Sequence, residues 1–195
     1  EGYEMNLFAS ETEGVAKPTQ FSWDERGRLY VACSPTYPQT VPGVKPSDFI
    51  LVVEDTNGDG KADKSTRFAE GLTMVQGVEP GAGGVYVCDF DQIVHLKDTN
   101  GDGKADTFDV ILTGFGVQDS HLFPHQFTRA PGGWIWMAQG LFNNSKVHKP
   151  GSDVVVDWPK CSMARMRPDG HLVFMGRHKD MLKVGGENVS PAEVE

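Results

Sequence analysis

Apolar residues along this chain come in short runs broken by polar or glycine-rich turns, the pattern of strands. Phe21–Trp23 reads as one strand, Asp24–Gly27 as a polar turn, and Leu29–Cys33 as a second strand. The same turn-then-strand phrase returns at Gly83–Cys88 and again at Pro131–Met137. Between these phrases lie the strands Phe49–Glu54 and Gln92–Lys97. Each runs into a polar loop, and a further apolar segment follows, around Phe68 and around Val110–Leu112. Residues 1–20 form an entry segment, with Met5, Leu7 and Phe8 as a short apolar strand, and the Pro-rich Ser34–Ser47 is a surface insertion. Four short strands per unit describe the blade of a β-propeller. The expected fold is therefore all-β, a partial propeller of about three to four blades, fewer than most closed rings hold. A β-sandwich carrying two turns of the same kind is the alternative.

The polar loops sharpen that picture because they are identical. Asp55–Asp63 (DTNGDGKAD) recurs residue for residue as Asp98–Asp106, 43 residues later, and Asp48, Ile50 and Gly71 match Asp91, Ile93 and Gly114 at the same offset. A period of that length is one supersecondary unit. Calcium is a hard cation that takes six to eight oxygens. Oxygens at alternate positions (Asp55, Asn57, Asp59; Asp98, Asn100, Asp102) converge if the backbone curls, which Gly60 and Gly103 permit. Lys61 and Lys104 would each lend a backbone carbonyl, and Asp63 and Asp106 would close the shell. The twelfth position, Glu in an EF-hand, is Thr66 in one copy and Asp109 in the other, and strands flank the loops where an EF-hand has helices. Two EF-hand-like calcium loops outside an EF-hand fold are expected, against the plainer reading of two metal-free Asp/Gly turns.

Composition narrows the function classes. The 195 residues carry a formal charge of −9 with 23 Gly and 12 Pro, which favours turns over long helices. No basic run supports nucleic-acid or membrane-surface binding, and the apolar run Phe49–Val53 is far too short to span a bilayer. No signal peptide is visible at Glu1, so a mature product or a fragment is expected. Cys33, Cys88 and Cys161 include no CxxC pair; a Cys33–Cys88 disulfide is conceivable, and buried free thiols are its equal. GxSxG, HExxH and P-loop patterns are absent. His121 and His125 have the spacing of a helical ligand pair, but Pro124 opposes the helix a zinc site would need. His95 reads as a structural histidine in mid-strand. Trp134 and Trp136 share one strand face, as blade packing or as a sugar-stacking platform.

Phe8-Ala9-Ser10, Lys17-Pro18, Trp23–Val31, Tyr37-Pro38, Glu54–Asp63, Phe68–Leu72, the second loop, Gly114–Gly116, Asp119–His121, Gln139–Leu141 and Cys161–Gly170 occur in order over residues 1–170. This series resembles the N-terminal propeller of membrane-bound dehydrogenases of planctomycetes and verrucomicrobia. The resemblance implies a six-bladed propeller akin to soluble quinoprotein sugar dehydrogenases, with pyrroloquinoline quinone as cofactor and a sugar or alcohol as substrate. It also implies a c-type cytochrome as electron acceptor and a periplasmic or extracellular location, to which low-affinity calcium loops are suited. His121 would lie on the cofactor-facing side as proton or hydride acceptor, against the plainer reading of a loop histidine bonded to a carbonyl.

Residues 164–195, from Ala164-Arg165-Met166 through Asp169–Arg177, Lys179, Lys183 and Gly185–Glu195, are similar to the hinge region of adenylate-forming acyl-CoA synthetases, where Lys179 would mark the hinge and Lys183 would approach an active site. The chain thus divides into a calcium-binding propeller domain, 1–170, and a synthetase-like tail, 171–195, as in a chimera. The tail is expected to form a β-hairpin (Leu172–Met175 with Leu182–Val184) and a helix start at Ser190–Glu193. The expected function is a calcium-stabilised propeller fragment of a quinoprotein-like dehydrogenase, not catalytic alone. A non-catalytic, calcium-dependent extracellular binding module is the alternative, and a remnant of an adenylate-forming ligase the third reading.

Overall fold

The computed structural model describes residues 2–177, 182–184 and 187–189. Three four-stranded antiparallel sheets account for most of them. The first runs β1 (Pro18–Trp23), β2 (Leu29–Cys33), β3 (Asp48–Glu54) and β4 (Lys64–Leu72) in spatial order. The second runs β5 (Val78–Gly81), β6 (Gly84–Asp89), β7 (Gln92–Lys97) and β8 (Thr107–Thr113). The third is β9 (His125–Ala130), β10 (Trp134–Gln139), β13 (Ser162–Met166) and β14 (Leu172–Arg177), interrupted by a hairpin of β11 (Ser145–Val147) and β12 (Val156–Trp158). The first strands of the sheets, β1, β5 and β9, lie side by side. These are three blades of a partial propeller, at the lower bound of the expected range, and the ring is not closed.

The layers follow from the pleat. Successive side chains of a strand point to opposite faces, so a strand between two sheets must be apolar on both. That is why β2, β3, β6 and β7 read as near-continuous apolar runs and are buried along most of their length, whereas the outer β4 and β8 alternate with exposed positions. Tyr30, Ala32, Ile50, Val52 and Phe68 of the first blade face Val78, Val85, Val87, Val94 and Leu96 of the second. The second blade's other face (Tyr86, Cys88, Ile93, Leu112) packs on Phe127, Ile135, Met137, Ala164 and Met166 of the third. The first blade's far face (Leu29, Val31, Cys33, Phe49, Leu51, Val53) is covered by Phe8, Ala9, Val15 and Ala16 of the entry segment, which makes one 3₁₀ turn, Glu11–Glu13, behind a Ser10–Glu13 capping box.

One open alternative closes and one expectation changes. Cys33 and Cys88 are buried free thiols in different apolar layers, which rules out a disulfide between them. The hairpin of Leu172–Met175 with Leu182–Val184 does not form. Leu172–Arg177 instead pairs with β13 as the outer strand of the third blade, and Leu182–Val184 (β15) pairs with Glu187–Val189 (β16). β13 has a hydrogen-bonding edge that β10 leaves unpaired, and residues 172–177 reach it across a short turn at Arg167–Gly170. The helix start at Ser190–Glu193, and Lys179, lie outside the described residues.

Candidate functional site

An antiparallel meander puts alternate connections at opposite ends of each blade. One end collects the turns β1–β2 and β5–β6 with the repeated loops β3–β4 and β7–β8. The other end collects the long β2–β3 connection, the β4–β5 and β8–β9 connections, and the β11–β12 insertion.

At the first end the two loops have the same internal bonding. Asp55 accepts from the backbone N–H of Gly58 (2.7 Å) and Gly60 (2.8 Å), and Asp98 does so from Gly101 (2.6 Å) and Gly103 (2.8 Å). Asn57 and Asp59 accept from the amides two residues on, as do Asn100 and Asp102. Asp63 and Asp106 accept from the hydroxyls of Thr56 and Thr99, each 2.9 Å away. Gly60 and Gly103 hold φ of 84° and 85°, which lets the chain close behind the first aspartate. The N–H bonds from Gly60 and Gly103 are the main cause holding Asp55 and Asp98 below the usual carboxylate range. Every donor is a hard oxygen at an alternate position, so the chemistry of the set suits calcium. No group of three His, Cys, Asp or Glu side chains is gathered as a metal site among the described residues. Asp109 stands apart in β8, opposite His95, with its carboxylate 3.9 Å from Lys97.

At the other end a cleft of about 570 Å³ is lined by Lys17, Thr19, Tyr37, Gln76, His121 and His125, among others. His121 sits in the β8–β9 connection. Its Nδ1 is 2.9 Å from Asp119 Oδ1, which also accepts the His121 backbone N–H at 2.9 Å. The bond to that backbone N–H leads in pulling the Asp119 carboxyl down, with the imidazole bond second. A carboxylate at Nδ1 fixes the proton there and leaves Nε2 as the basic nitrogen. The Tyr37 ring meets the imidazole edge to face at 5.2 Å.

The loop is fixed from three sides. Asn143, fully buried, exchanges bonds with the Asp119 backbone at 2.8 and 3.0 Å. Gln76 Nε2 donates to the Ser120 carbonyl, and Ser120 Oγ donates to the Pro38 carbonyl at 2.6 Å. Behind it, Gly140 leaves room for Leu122, since a Cβ there would lie 2.3 Å from Leu122 Cδ2. Across the cleft, Lys17 Nζ donates to the carbonyls of Pro35 and Tyr37, both at 3.2 Å. The strand below that loop begins with Asp48. This fully buried carboxylate accepts from Ser34 Oγ (2.6 Å), Thr36 N (2.8 Å), Thr36 Oγ1 and Val75 N (3.2 Å), tying the β2–β3 and β4–β5 connections together.

His121 and His125 line the same cleft but are separately bonded, His125 through Nδ1 to the Phe123 carbonyl at 2.6 Å. His95 is a buried structural histidine: Nε2 is 2.9 Å from the Gly81 carbonyl, and the ring stacks on Tyr86 at 4.1 Å. Trp134 and Trp136 do share a face, but Arg165 lies over both, 4.2 and 5.8 Å from the ring centres, and Arg167 over Trp134 at 4.7 Å, so guanidinium groups already occupy a would-be sugar platform. Gln76, Asn143 and Lys17's place in the cleft had no signal in the chain beyond ordinary polar residues in loops.

A family model described as Domain of unknown function (DUF7133) matches residues 1–181. No curated protein matches. Among solved structures, the holo form of the pyranose dehydrogenase PQQ domain from Coprinopsis cinerea is similar, with a TM-score of 0.50 and 14% identity over 80% of this chain. The chain spans 34% of that domain's length. At this identity the likeness is one of fold, and it agrees with the partial propeller. The synthetase-like hinge in residues 164–195 finds no support in these comparisons, and the family match runs beyond residue 170 to residue 181. Among the described residues no helix is long and apolar enough to cross a membrane.

Proposed function

From the premise that the chain belongs to the DUF7133 family, we propose that it is a fragment of a quinoprotein-like propeller whose cleft at Lys17, Gln76 and His121 takes a quinone and a sugar or alcohol. The observation that carries this reading is His121, positioned by Asp119 and braced by Tyr37, with its basic nitrogen unengaged by either. The residues suit pyrroloquinoline quinone, a flat polyanion with carbonyl oxygens. The ammonium of Lys17 would face a carboxylate and the Gln76 amide a carbonyl. A bound quinone supplies the acceptor for the electrons and hydrogen removed from an alcohol carbon. His121 Nε2 would take the proton of the substrate hydroxyl, and Asp119 would stabilise the resulting imidazolium. Electrons would pass on to a c-type cytochrome, outside the cytoplasm.

The loops at the opposite end would each hold one calcium ion through Asp55, Asn57, Asp59, Asp63 and the Lys61 carbonyl, and through Asp98, Asn100, Asp102, Asp106 and the Lys104 carbonyl. Their role is structural, since an ion bound only by the folded loop adds its binding free energy to folding. The test is titration of pyrroloquinoline quinone into the calcium-loaded protein, followed by absorbance, and then dye reduction across a panel of sugars and alcohols. Saturable one-to-one binding supports the cleft. Absence of binding together with intact calcium loading would refute it. A second reading, a calcium-dependent binding module without catalysis, draws on the chain's covering only 34% of the similar dehydrogenase domain. It is favoured if a sugar binds and no dye is reduced.

A further inference from the structure

Asn143 lies in the β10–β11 connection, fully buried, and directs both ends of its amide to one residue. Its Oδ1 accepts the Asp119 N–H at 2.8 Å, and its Nδ2 donates to the Asp119 carbonyl at 3.0 Å. Backbone groups on both sides of the Asp119 Cα are therefore held, which fixes the direction in which that side chain leaves the loop. Among the described residues the Asp119 carboxylate bonds to His121 alone, at its backbone N–H and at Nδ1, both 2.9 Å away. A line of contacts thus runs from the third blade's interior to the imidazole in the cleft.

The amide is itself firmly seated. Gln139, at the end of β10, accepts from Ser145 Oγ at 2.6 Å and donates to the carbonyls of Trp158 (2.6 Å) and Pro159 (2.9 Å). Ser145 Oγ in turn accepts the Gly116 N–H at 2.8 Å. Gln139, Asn143 and Ser145 are all buried, so a lost partner would leave a polar group unsatisfied away from water. Gly116 lets the two connections close on each other, since a Cβ there would lie 2.5 Å from the Asn144 carbonyl oxygen. The bond from Asn144 N–H to Gln118 Oε1, at 3.2 Å, is different: it lies at the surface and does not touch Asp119.

We propose that Asn143 is a positioning residue for His121: by gripping Asp119 it holds a carboxylate at Nδ1, keeps the proton there and leaves Nε2 free. The catalytic consequence rests on the proposed reading of the cleft, whereas the tautomer is a property of the folded chain with nothing bound. Without the grip the Asp119 side chain would swing, and the imidazole would exchange between its two neutral forms. Only the form with an unprotonated Nε2 can take the proton of a substrate hydroxyl there.

The tautomer is read on the whole protein by long-range proton–nitrogen correlation spectra at about pH 8, where an ordinary imidazole is neutral, with His121→Ala identifying the signal. The parent should carry the proton on Nδ1. Asn143→Ala should give a mixture with the Nε2–H form, and Asn143→Ser, whose hydroxyl replaces one of the two bonds, a smaller shift. On the proposed reading, Asn143→Ala also lowers kcat by about 10–100-fold with KM within about twofold of the parent's. Gln118→Ala, which removes only the surface bond, should match the parent in tautomer and turnover. One check needs no variant: the Asp119 amide of the parent should exchange at least about tenfold more slowly than an unstructured amide. The parental tautomer in either folded Asn143 variant, the same change in Gln118→Ala, or rapid exchange at the Asp119 amide overturns the proposal. A tautomer change in a protein whose parent shows no turnover supports the positioning and refutes the catalytic reading of the cleft.

Discussion

The two ends of the blades differ in how they are built. At one end the same nine-residue loop is used twice, with the same hydrogen bonds to within 0.1 Å at the first aspartate, and each loop clips onto the strand before it. At the other end no two connections are alike: a long insertion brings Tyr37, a short link brings Gln76, and the β8–β9 connection brings His121. Repetition goes with closing a blade, because each copy bonds back to the strand that feeds it, Asp63 N–H to the Glu54 carbonyl at 2.9 Å and Asp106 N–H to the Lys97 carbonyl at 2.8 Å. Chemistry needs unlike groups aimed at one point, so it appears where the repeat is abandoned. If this division is right, changes at the cleft end should alter function with modest loss of stability, and changes at the loop end should do the reverse.

The sharpest way to break the contrast is His121→Ala. On the proposed reading it should lower kcat for dye reduction by about 10²–10⁴-fold, the usual range for a general base, while quinone binding and the thermal midpoint stay near parent values. Asp119→Asn should fall between, with a shifted pH profile, because the carboxylate that holds the Nδ1 proton is gone. Equal activity in parent and His121→Ala would move the chemistry away from this cleft.

Asp48 tests whether the cleft end is free of structural duty. It is fully buried and satisfies four donors, so Asp48→Ala strands the Ser34 and Thr36 groups and should cost on the order of 3 kcal/mol. For a chain of this size that is a fall of roughly 6–12 °C in thermal midpoint. Quinone affinity should fall with it, since Thr36 adjoins Tyr37 and the carbonyls that hold Lys17. A stability loss with unchanged binding would show that the cleft does not depend on this anchor.

The same contrast explains what could be seen in the chain. The blades were legible because burial on both faces forces continuous apolar runs in β2, β3, β6 and β7, and because the loop copies announce a 43-residue unit. The third blade was harder to count. Its β10 and β13 are split by an insertion, and its outer strand falls in residues that resemble another family. His121 could be picked out only by resemblance. Gln76, Asn143 and Asp48 act through long-range bonds to backbone atoms, which leave no periodic trace in sequence. Asp109, at the twelfth position of the EF-hand register, lies in β8, where its carboxylate is 3.9 Å from Lys97.

Calcium removal probes the loop end next. An ion held at a hundred times its dissociation constant contributes about 2.7 kcal/mol, so chelation should lower the midpoint by roughly 5–10 °C if the loops bind as proposed. Asp55→Asn with Asp98→Asn should abolish the calcium response and leave quinone binding to the reloaded parent as the reference. A midpoint that ignores both calcium and chelator would reduce the loops to hydrogen-bonded turns. Loss of quinone binding in the double variant, with the fold intact, would break the division between the two ends.

The smallest effect concerns His95, which lies in the second blade near the loop end and belongs to neither proposed site. Desolvation is the leading cause of its lowered pKa, only partly countered by the bond to the Gly81 carbonyl. The unfolded chain takes up a proton near the ordinary value of 6.5, and the native protein does so only at lower pH. Stability from this group is therefore complete above 6.5 and is lost as pH falls from there through the folded value. Glu79 and Asp89 act in the opposite sense, because burial raises both carboxyls and the native state takes up their protons first. The net slope between about pH 8 and pH 5 is thus a difference, and a single curve does not isolate His95. His95→Gln keeps a donor for Gly81 and removes the titration. Subtracting its denaturant midpoints from the parent's should leave a curve that is flat above 6.5 and falls below it. A flat difference would mean that acid reaches His95 in the folded state as readily as in the unfolded chain, and that the layer between Tyr86 and Gly84 is looser than its packing indicates.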